Sequence, residues 1–242
     1  MNLVIDAGNT QIKLGVFQGS RLVASKSCLV EAFPQELKAA FENYPGIGHA
    51  ILASVGPPDK TMTDLVKVFC PVHVVSPLTR TPYRNTYATT QTLGADRMAL
   101  ASAAFFRFPK TNTLVIDAGS CITYDFLNDF GEYLGGAISP GLRMRYRALN
   151  AFTARLPLLE PGEPPELIGN ATETSMHIGV VYGLSAEIDG MIDRYKTRYP
   201  TLTVILTGGD ALFLSKRLKN TIFAHSNFLL EGLNQLLEYN KS

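Results

Sequence analysis

Hydrophobic and polar residues follow one another in a pattern that predicts strands at the start of the chain. Residues 2–7 form a short apolar run, which is typical of a buried strand, and residues 11–17 alternate polar and apolar positions as a half-buried strand does. After a tight turn, a third strand is predicted over 21–28. Apolar positions at helical spacing over 34–43 predict a helix. The chain therefore opens with three successive strands and a helix.

A similar pattern continues through the next part of the chain. Strands are predicted at 50–55 and 72–76, with a helix over 60–69 between them. This alternation indicates a sheet with crossover helices. The polar, threonine-rich stretch 79–93 predicts a loop, and the alanine-rich stretch 95–108 predicts a further helix.

The opening pattern then starts again in the middle of the chain. The five-residue sequence Val-Ile-Asp-Ala-Gly occurs at 4–8 and returns at 115–119. We therefore expect an internal duplication, with an N-terminal half of residues 1–110 and a C-terminal half of residues 111–242. The repeated elements are strands over 113–118, 121–127 and 132–138 and a helix over 142–152.

The remainder of the second half carries a proline-rich segment and a glycine turn. The four prolines of 157–165 indicate a linker, and a long helix is predicted over 172–198. A strand over 203–206 ends at the sequence Thr207-Gly208-Gly209-Asp210, and a helix over 227–239 closes the chain.

Composition narrows the classes of function. The 22 basic and 21 acidic residues give a net charge of +1, so a nucleic-acid partner, which needs a clustered basic surface, is not expected. The tightest basic group, Arg143 to Arg147, is either a solvated helix face or a ligand site. The three cysteines lack metal-type spacing, and neither a signal-peptide pattern nor an apolar run near the ~20 residues of a membrane span is present. We therefore expect a cytoplasmic protein without a membrane partner.

The first copy of the repeated sequence has the residue types of a nucleotide-phosphate site. A strand brings Asp6 to its carboxyl end, where a carboxylate can hold a hydrated Mg²⁺ ion. Gly8 lets the backbone approach a ligand, while Asn9, Thr10 and Lys13 add side-chain donors. The glycine spacing matches neither the Walker A motif nor the dinucleotide fingerprint. For one copy alone, a plain β-hairpin is an equal alternative.

The second copy favours the nucleotide interpretation, because two opposed turns supply donors from two sides and two carboxylates for cations. The copies are unequal, since counting from Asp117 places Tyr124 where the first copy has Lys13. The glycines of 207–210 would let a flat base lie on the backbone. The alternative for that turn is an ordinary helix start with Asp210 in a capping role.

Together these elements resemble the superfamily of sugar kinases, acetate kinase and actin. Its members consist of two duplicated actin-like (RNase H-like) halves, each a mixed sheet with flanking helices, with ATP in the cleft between them. The resemblance covers the whole chain and implies an α/β fold of this kind.

Three further stretches narrow the resemblance to one family. They are Gly94-Ala95-Asp96-Arg97, the glycine-rich stretch 135–141 and Gly169-Asn170-Ala171-Thr172. With the first hairpin, the set is similar to the type III pantothenate kinases. The resemblance implies phosphorylation of pantothenate by ATP, the first step of coenzyme A biosynthesis. It also implies a homodimer with a shared substrate site, a Mg²⁺ ion and a monovalent cation, K⁺ or NH₄⁺.

The resemblance assigns a substrate site to the first half. Asp96 would be the general base, because a carboxylate can accept the proton of a primary alcohol as it attacks the γ-phosphate. Gly94, Arg97 and Tyr87 would contact pantothenate, and Thr172 would reach it from the other subunit. Without the resemblance, Asp96 would be an acidic residue at a helix start, Tyr87 a packing residue and Thr172 an ordinary first-turn residue.

The resemblance also assigns the nucleotide and metal contacts. Asp6 would hold Mg²⁺ through water, and Asp117 is associated with the monovalent cation. The residues expected to bind ATP are Asp6, Gly8, Asn9, Thr10, Lys13, Gly119, Ser120, Gly208 and Gly209.

Two departures and two other functions stay open. Met98 stands where the family commonly has Trp, and Ser120-Cys121 stands where the second hairpin usually has Thr, so that a hydroxyl is kept. Another small-molecule kinase of the superfamily and a non-catalytic nucleotide-binding regulatory protein are the alternatives. The presence of all the charged residues assigned above favours an active enzyme.

Overall fold

The computed structural model describes residues 1–8, 11–54, 56 and 60–241, which form strands and helices in alternation. The strands are β1 (Asn2–Ala7), β2 (Ile12–Gln18), β3 (Arg21–Cys28), β4 (His49–Ser54), β5 (Val72–Val74), β6 (Arg84–Asn85), β7 (Asn112–Ala118), β8 (Cys121–Leu127), β9 (Glu132–Pro140), β10 (Leu202–Thr207) and β11 (Phe223–Ala224). The α-helices are α1 (Phe33–Asn43), α2 (Lys60–Lys67), α3 (Ala95–Arg107), α4 (Leu142–Ala151), α5 (Thr172–Arg198), α6 (Ala211–Ser215) and α7 (Phe228–Asn240). None of the helices in these described ranges is long and apolar enough to cross a membrane.

The chain divides into two compact units. The first comprises Met1–Pro109, Gly131–Tyr133 and Asn227–Ser242, and the second comprises Lys110–Phe130 and Leu134–Ser226. The sequence analysis placed the C-terminal helix in the second half, whereas α7 packs with α3 in the first unit. An amphipathic pattern shows that a helix has a buried face but not which sheet covers it. The division at residues 110 and 111 stays a prediction.

The first unit is built on a five-stranded mixed sheet with the order β3-β2-β1-β4-β5. The strand β1 lies antiparallel to β2 and parallel to β4. On one face, Leu3 and Ile5 pack with Leu37 of α1 and Val66 of α2, all of them fully buried. The helices α3 and α7 pack against each other and contact β4, and α7 also contacts β1. The sheet therefore has helices on both faces, as its nearly continuous apolar central strand requires.

The sheet of the second unit repeats this arrangement. Its strands have the order β9-β8-β7-β10-β11, so that β7 takes the place of β1. Like β1, β7 is antiparallel to the strand that follows it and parallel to a later strand, β10. The first two residues of β9 belong to the first unit, where they pair with β6. The matching strand order and directions confirm the duplication expected from the repeated sequence.

The predicted elements are present in the described chain, with ends that differ by a few residues. The clearest difference lies in the stretch predicted as a loop, where Arg84–Asn85 forms the short strand β6 and Thr90–Thr92 a turn of 3₁₀-helix. The strand β6 pairs in parallel with Glu132 and Tyr133. Two residues without a hydrophobic period carry no sequence signal, because only the distant partner strand makes them a strand.

The packing of α7 on α3 yields a stability prediction. A side chain at Gly232 of α7 would overlap the backbone carbonyl of Ala99 in α3. We expect Gly232→Ala to lower the free energy of unfolding by about 1–3 kcal/mol, as overpacking of cores does. Gly190, in the interior of α5, is the matched control, because a side chain there would meet no heavy atom within 4 Å.

Gly190→Ala should raise the free energy of unfolding by roughly 0.5–1 kcal/mol, because alanine is the better helix residue. Urea unfolding of both variants measures the two changes. If Gly232→Ala stabilised the protein as Gly190→Ala does, the result would contradict the close approach of α3 and α7 at Gly232.

Candidate active site

The first hairpin places a carboxylate and an ammonium group opposite each other. In the register of β1 and β2, Asp6 pairs with Lys13 and Ala7 with Ile12. Directly opposed residues of antiparallel strands present their side chains on the same face. The Gly8 N–H donates to the Gln11 carbonyl at 3.1 Å and closes the turn. The two other residues expected at this turn, Asn9 and Thr10, lie outside the described part of the chain.

The second hairpin has a turn that is one residue shorter. Ala118 pairs with Ile122, which leaves residues 119–121 in the turn, against residues 8–11 in the first hairpin. Asp117 consequently lies opposite Thr123, so the counterpart of Lys13 is Thr123 and the expectation of Tyr124 is wrong. A shift of one residue moves a side chain to the other face of a sheet. Tyr124 is accordingly buried in the core of the second unit.

The environment of Asp6 favours a protonated carboxyl group. Burial raises the pKa of Asp6 to about 6, the positive charge of Lys13 opposes that rise, and the negative charge of Asp96 adds to it. The charge of Asp96 thus acts on Asp6. A cation bound at the Asp6 carboxylate would remove the penalty on its charged form.

The motif Gly94-Ala95-Asp96-Arg97 begins α3, and its glycine has a steric role. The Oδ1 atom of Asp96 accepts the N–H of Arg97 at 2.8 Å. A side chain at Gly94 would overlap the Asp96 carboxylate. The glycine therefore leaves room for the acid two residues later, and the first turn of the helix fixes the direction of the acid.

Arg97, Tyr87 and Tyr133 form one cluster of charge and rings, in which Arg97 and Tyr133 are buried and Tyr87 is half-buried. Arg97 is only 5% exposed, and its guanidinium carbon lies 5.4 Å from the centre of the Tyr87 ring. The Tyr87 ring in turn lies 6.1 Å from the ring of Tyr133. The Thr86 hydroxyl donates to the Tyr133 carbonyl at 2.8 Å, next to the strand pairing of β6. Tyr133, whose ring packs against the predicted residue Tyr87, carries no signal of this contact in the sequence.

The predicted residues of the second unit also come together. Asp117 lies between Thr123 of β8 and Thr207 of β10 in the sheet register. Gly208 has φ of 96°, which favours glycine, and a side chain there would overlap the Asp117 carboxylate. The Asp210 N–H donates to the Ala118 carbonyl at 2.9 Å. Acid, hairpin and glycine turn thus form one site.

Several details of that site bear on its chemistry. A side chain at Gly209 would meet no heavy atom within 4 Å, so the backbone of the turn faces open space. The Gly141 N–H donates to the Ser120 carbonyl at 3.2 Å, which sets the start of α4 against Gly119 and Ser120. Asp210 is the N-cap residue of α6, as considered for it, but its side chain makes no capping bond. Its carboxylate accepts a bond from Arg143 instead, at 2.7 Å.

Thr172 begins the long helix α5 of the second unit. It is exposed in the first turn of α5 and lines a groove of about 1200 Å³ between α4 and α5. Other walls of the groove are Leu149, Phe152 and Met176. The described residues that line this groove include neither Asp117 nor the turn that follows it.

The donor set can hold Mg²⁺ in one particular manner. No group of three or more His, Cys, Asp or Glu side chains suited to a metal ion occurs among the described residues. Mg²⁺ commonly binds through one or two carboxylates together with water and substrate phosphates. Asp6, near the carboxyl end of β1, fits that requirement, because a carboxylate offers the oxygen ligands that the ion prefers.

Comparison with known proteins decides the family. A model of the type III pantothenate kinases matches residues 2–194. The type III pantothenate kinase of Flavobacterium johnsoniae is 48% identical over 239 residues, which cover 99% of this chain and 98% of the relative. That of Christiangramia forsetii is 47% identical over 242 residues and covers 100% of both chains. The chain belongs to the type III pantothenate kinase family. Membership makes the protein a kinase with ATP as its co-substrate.

Solved structures of lower identity share the fold of this kinase. A Baf family protein of Campylobacter jejuni has a TM-score of 0.64 at 20% identity and covers 98% of each chain. A glucokinase from an Antarctic psychrotroph has a TM-score of 0.55 at 13% identity and covers 99% of each chain. Such identities bear on the fold alone, and they confirm the actin-like fold expected from the sequence.

Met98, which departs from the usual family sequence, keeps an apolar position in the kinase. It is buried, and its carbonyl accepts bonds from the hydroxyls of Tyr83 at 3.4 Å and Ser102 at 2.9 Å. The side chain at 98 therefore packs in the core beneath the site, where an adaptable thioether fills the space available.

The raised pKa of Asp6 predicts a specific dependence of stability on pH. The folded state binds a proton at Asp6 that the unfolded state has already lost between about pH 4 and pH 6. Without Mg²⁺ and nucleotide, stability should be highest below about pH 4 with respect to this group. It should fall by about 3 kcal/mol as the pH rises through 6.

In Asp6→Asn that fall should disappear, since an amide does not titrate. Urea unfolding between pH 4 and pH 7 compares the two proteins. Asp64→Asn, at an exposed ion pair on α2, is the control and should retain the dependence of the unchanged protein. Equal pH dependence in Asp6→Asn and the unchanged protein would show that water solvates the Asp6 carboxylate fully.

Proposed function

We propose that this chain transfers the γ-phosphoryl group of ATP to the primary hydroxyl of pantothenate, with Asp96 as the general base. The observation that carries this proposal is the position of Asp96 in the first turn of α3, where its charge acts on Asp6 and the buried Arg97 follows it. One small region of the first unit thus holds an acid for a cation, an acid for a proton and a cation for a carboxylate. These are the groups that phosphorylation of a hydroxy acid requires.

The acceptor hydroxyl is activated by Asp96. The backbone N–H of Arg97 holds one carboxylate oxygen and so restricts the direction of the group. As the hydroxyl oxygen of pantothenate bonds to the γ-phosphorus, its proton passes to the Asp96 carboxylate, and ADP leaves with the electrons of the broken bond to the bridging oxygen. In this reaction the protein contributes mainly position and electrostatic stabilisation.

The carboxylate of pantothenate binds at Arg97. A guanidinium group can donate two parallel N–H bonds to a carboxylate, which fixes its orientation. The Tyr87 ring beside the guanidinium restricts the plane of the fork, and Tyr133 restricts the ring. Gly94 leaves this region open to the substrate, since any side chain there would displace Asp96.

The phosphates of ATP bind at the two hairpins. In the first unit, Gly8, Asn9, Thr10 and Lys13 donate to phosphate oxygens, and Asp6 holds Mg²⁺ through water. When bound, Mg²⁺ neutralises the charge that develops on the β- and γ-phosphate oxygens. The pairing of Asp6 with Lys13 supports this assignment, because it sets an acid for the metal directly opposite a base for the anion.

In the second unit, Gly119 and Ser120 contribute to phosphate binding, and Gly208 and Gly209 lie against the adenine. The open face of Gly209 supports the last assignment. Asp117 holds the monovalent cation, K⁺ or NH₄⁺. Its position between Thr123 and Thr207 supports this role, because hydroxyl and carboxylate oxygens suit hard cations.

The protein acts as a homodimer in which Thr172 of one subunit contacts the pantothenate of the other. The groove beside Thr172 supports this proposal, since Phe152 on its wall is 87% exposed. Contiguous apolar surface of this kind marks interaction sites. Two other functions were considered for the sequence, a different small-molecule kinase and a regulatory nucleotide-binding protein. In either case the protein would not phosphorylate pantothenate.

Replacement of the base tests the mechanism. We expect Asp96→Asn to lower kcat for pantothenate about 10²- to 10⁴-fold, which is the usual contribution of a general base. Steady-state assays with Mg-ATP and K⁺ measure it, and Asp64→Asn is the matched control with unchanged kcat. Full activity of a folded Asp96→Asn variant would contradict the role of the base.

Replacement of the guanidinium tests the substrate assignment. Arg97→Lys keeps the charge but loses the planar fork and its contact with Tyr87, so the KM for pantothenate should rise about tenfold or more while that for ATP stays unchanged. Arg84→Lys, at an exposed pair with Glu132, is the control and should change neither constant. An equal rise in both KM values would indicate a general structural defect.

A further inference from the structure

The three arginines of the basic group at 143–147 have different surroundings in α4. Arg145 donates to Glu187 at 2.5 Å, to the Pro140 carbonyl at 2.9 Å and to the Ser139 hydroxyl at 2.9 Å, so its guanidinium is occupied in holding the helix to its neighbours. Arg147 is exposed on the outer face of the helix. Arg143 alone of the three reaches the glycine turn, through its bond to Asp210.

The position of Arg143 connects the two nucleotide-side elements of the second unit. It lies two residues after Gly141, whose N–H bonds to the Ser120 carbonyl of the hairpin. Its Nη1 atom donates to the Oδ1 atom of Asp210 at 2.7 Å, and Asp210 is itself bound to the Ala118 carbonyl. The helix α4 thus begins against the phosphate hairpin and reaches the turn expected to face adenine through Arg143.

We propose that Arg143 is a phosphate-binding residue of the nucleotide site in the second unit, and that Glu160 occupies its free side until ATP arrives. This proposal rests on the binding of ATP proposed above. It assigns to helix α4 the positive charge that Lys13 supplies on the first hairpin.

The charges of the second unit favour such a residue. The register gives Asp117 a neutral neighbour, Thr123, where Asp6 has Lys13. Asp117 and Asp210 would then present two negative charges to a polyphosphate, which repels them. Arg143 neutralises Asp210 and brings its own guanidinium, a positive charge, to the glycine turn.

The guanidinium retains the capacity to bind a second anion. Its side chain is 57% exposed, whereas that of Asp210 is 11% exposed, so the pair is buried on the side of the acid and open on the side of the cation. An arginine has several N–H donors in a fork, and one carboxylate does not use them all. A phosphate oxygen can therefore join Arg143 without displacing Asp210.

The contact with Glu160 is the one that a phosphate would replace. The Glu160 carboxylate lies 3.9 Å from the Nε atom of Arg143, and its side chain is 87% exposed. An exposed ion pair at such a distance contributes little. The β- and γ-phosphates of ATP carry more charge than a carboxylate, and they compete for the same donor edge.

Calorimetric titration of the full chain with ATP, ADP and adenosine, in Mg²⁺ and without pantothenate, tests the proposal. Arg143→Gln should weaken the binding of ATP and ADP about 10- to 100-fold, as loss of a hydrogen bond to a charged group does, and leave that of adenosine within about twofold. Arg147→Gln, four residues along the same helix, is the control and should bind all three as the unchanged protein does. Glu160→Gln should strengthen ATP binding about two- to fivefold at low salt.

A double variant separates direct contact from simple neutralisation of Asp210. In Arg143→Gln/Asp210→Asn, ATP binding should stay as weak as in Arg143→Gln, because the donor to the phosphate is absent. Recovery in the double variant would overturn the proposal, since Arg143 would then only neutralise Asp210. Unchanged ATP binding in Arg143→Gln, or an equal loss for adenosine, would overturn it as well.

The same titration distinguishes a failure of this inference from a failure of the proposed function. If the unchanged protein binds no ATP, the function itself is wrong. If it binds ATP and Arg143→Gln binds it equally well, only the role of Arg143 is wrong. Arg143→Lys gives a further check, because a charge without the planar fork should produce an intermediate loss.

Discussion

The partial burial of the Asp6 carboxylate at the end of the central strand is the constraint on which the site of the first unit depends. Burial and the charge of Asp96 both oppose ionisation of Asp6, while Lys13 favours it. The charged form of Asp6 is therefore disfavoured in the folded chain, and a bound cation would relieve this cost. Such prearranged charge is what phosphoryl transfer uses, because little reorganisation is then required as the reaction proceeds.

The two hairpins of the duplicated fold are unequal because their turns differ in length by one residue. The order and directions of the strands are the same in both units, yet the second turn is shorter, and Thr123 rather than a lysine faces Asp117. The shift leaves the second unit with acids and hydroxyls on its sheet. Any positive charge at that site must come from outside the hairpin, and α4 is the element whose start lies against it.

The repeated sequence predicted the architecture well, because hydrophobic periodicity and glycine turns are local signals. The strands of both sheets and the carboxyl-end positions of Asp6 and Asp117 followed from it. Contacts between distant residues had no such signal. The pairing of β6 with Glu132 and Tyr133, the bond of Arg143 to Asp210 and the packing of α7 on α3 depend on three-dimensional proximity that spacing along the chain does not encode. The length of each hairpin turn likewise follows from the pairing of its two strands and not from counting residues along the sequence.

The glycines of the two key motifs have a common explanation. A side chain at Gly94 would overlap the carboxylate of Asp96, and one at Gly208 would overlap that of Asp117. Gly94 has φ of −61°, which any residue adopts, so its role is steric, whereas Gly208 with φ of 96° is required for both space and conformation. In each unit the absence of one side chain makes room for an acid on which function is proposed to depend. A larger residue at either position would move the carboxylate itself, so these glycines belong to the chemistry of the site as much as the acids do.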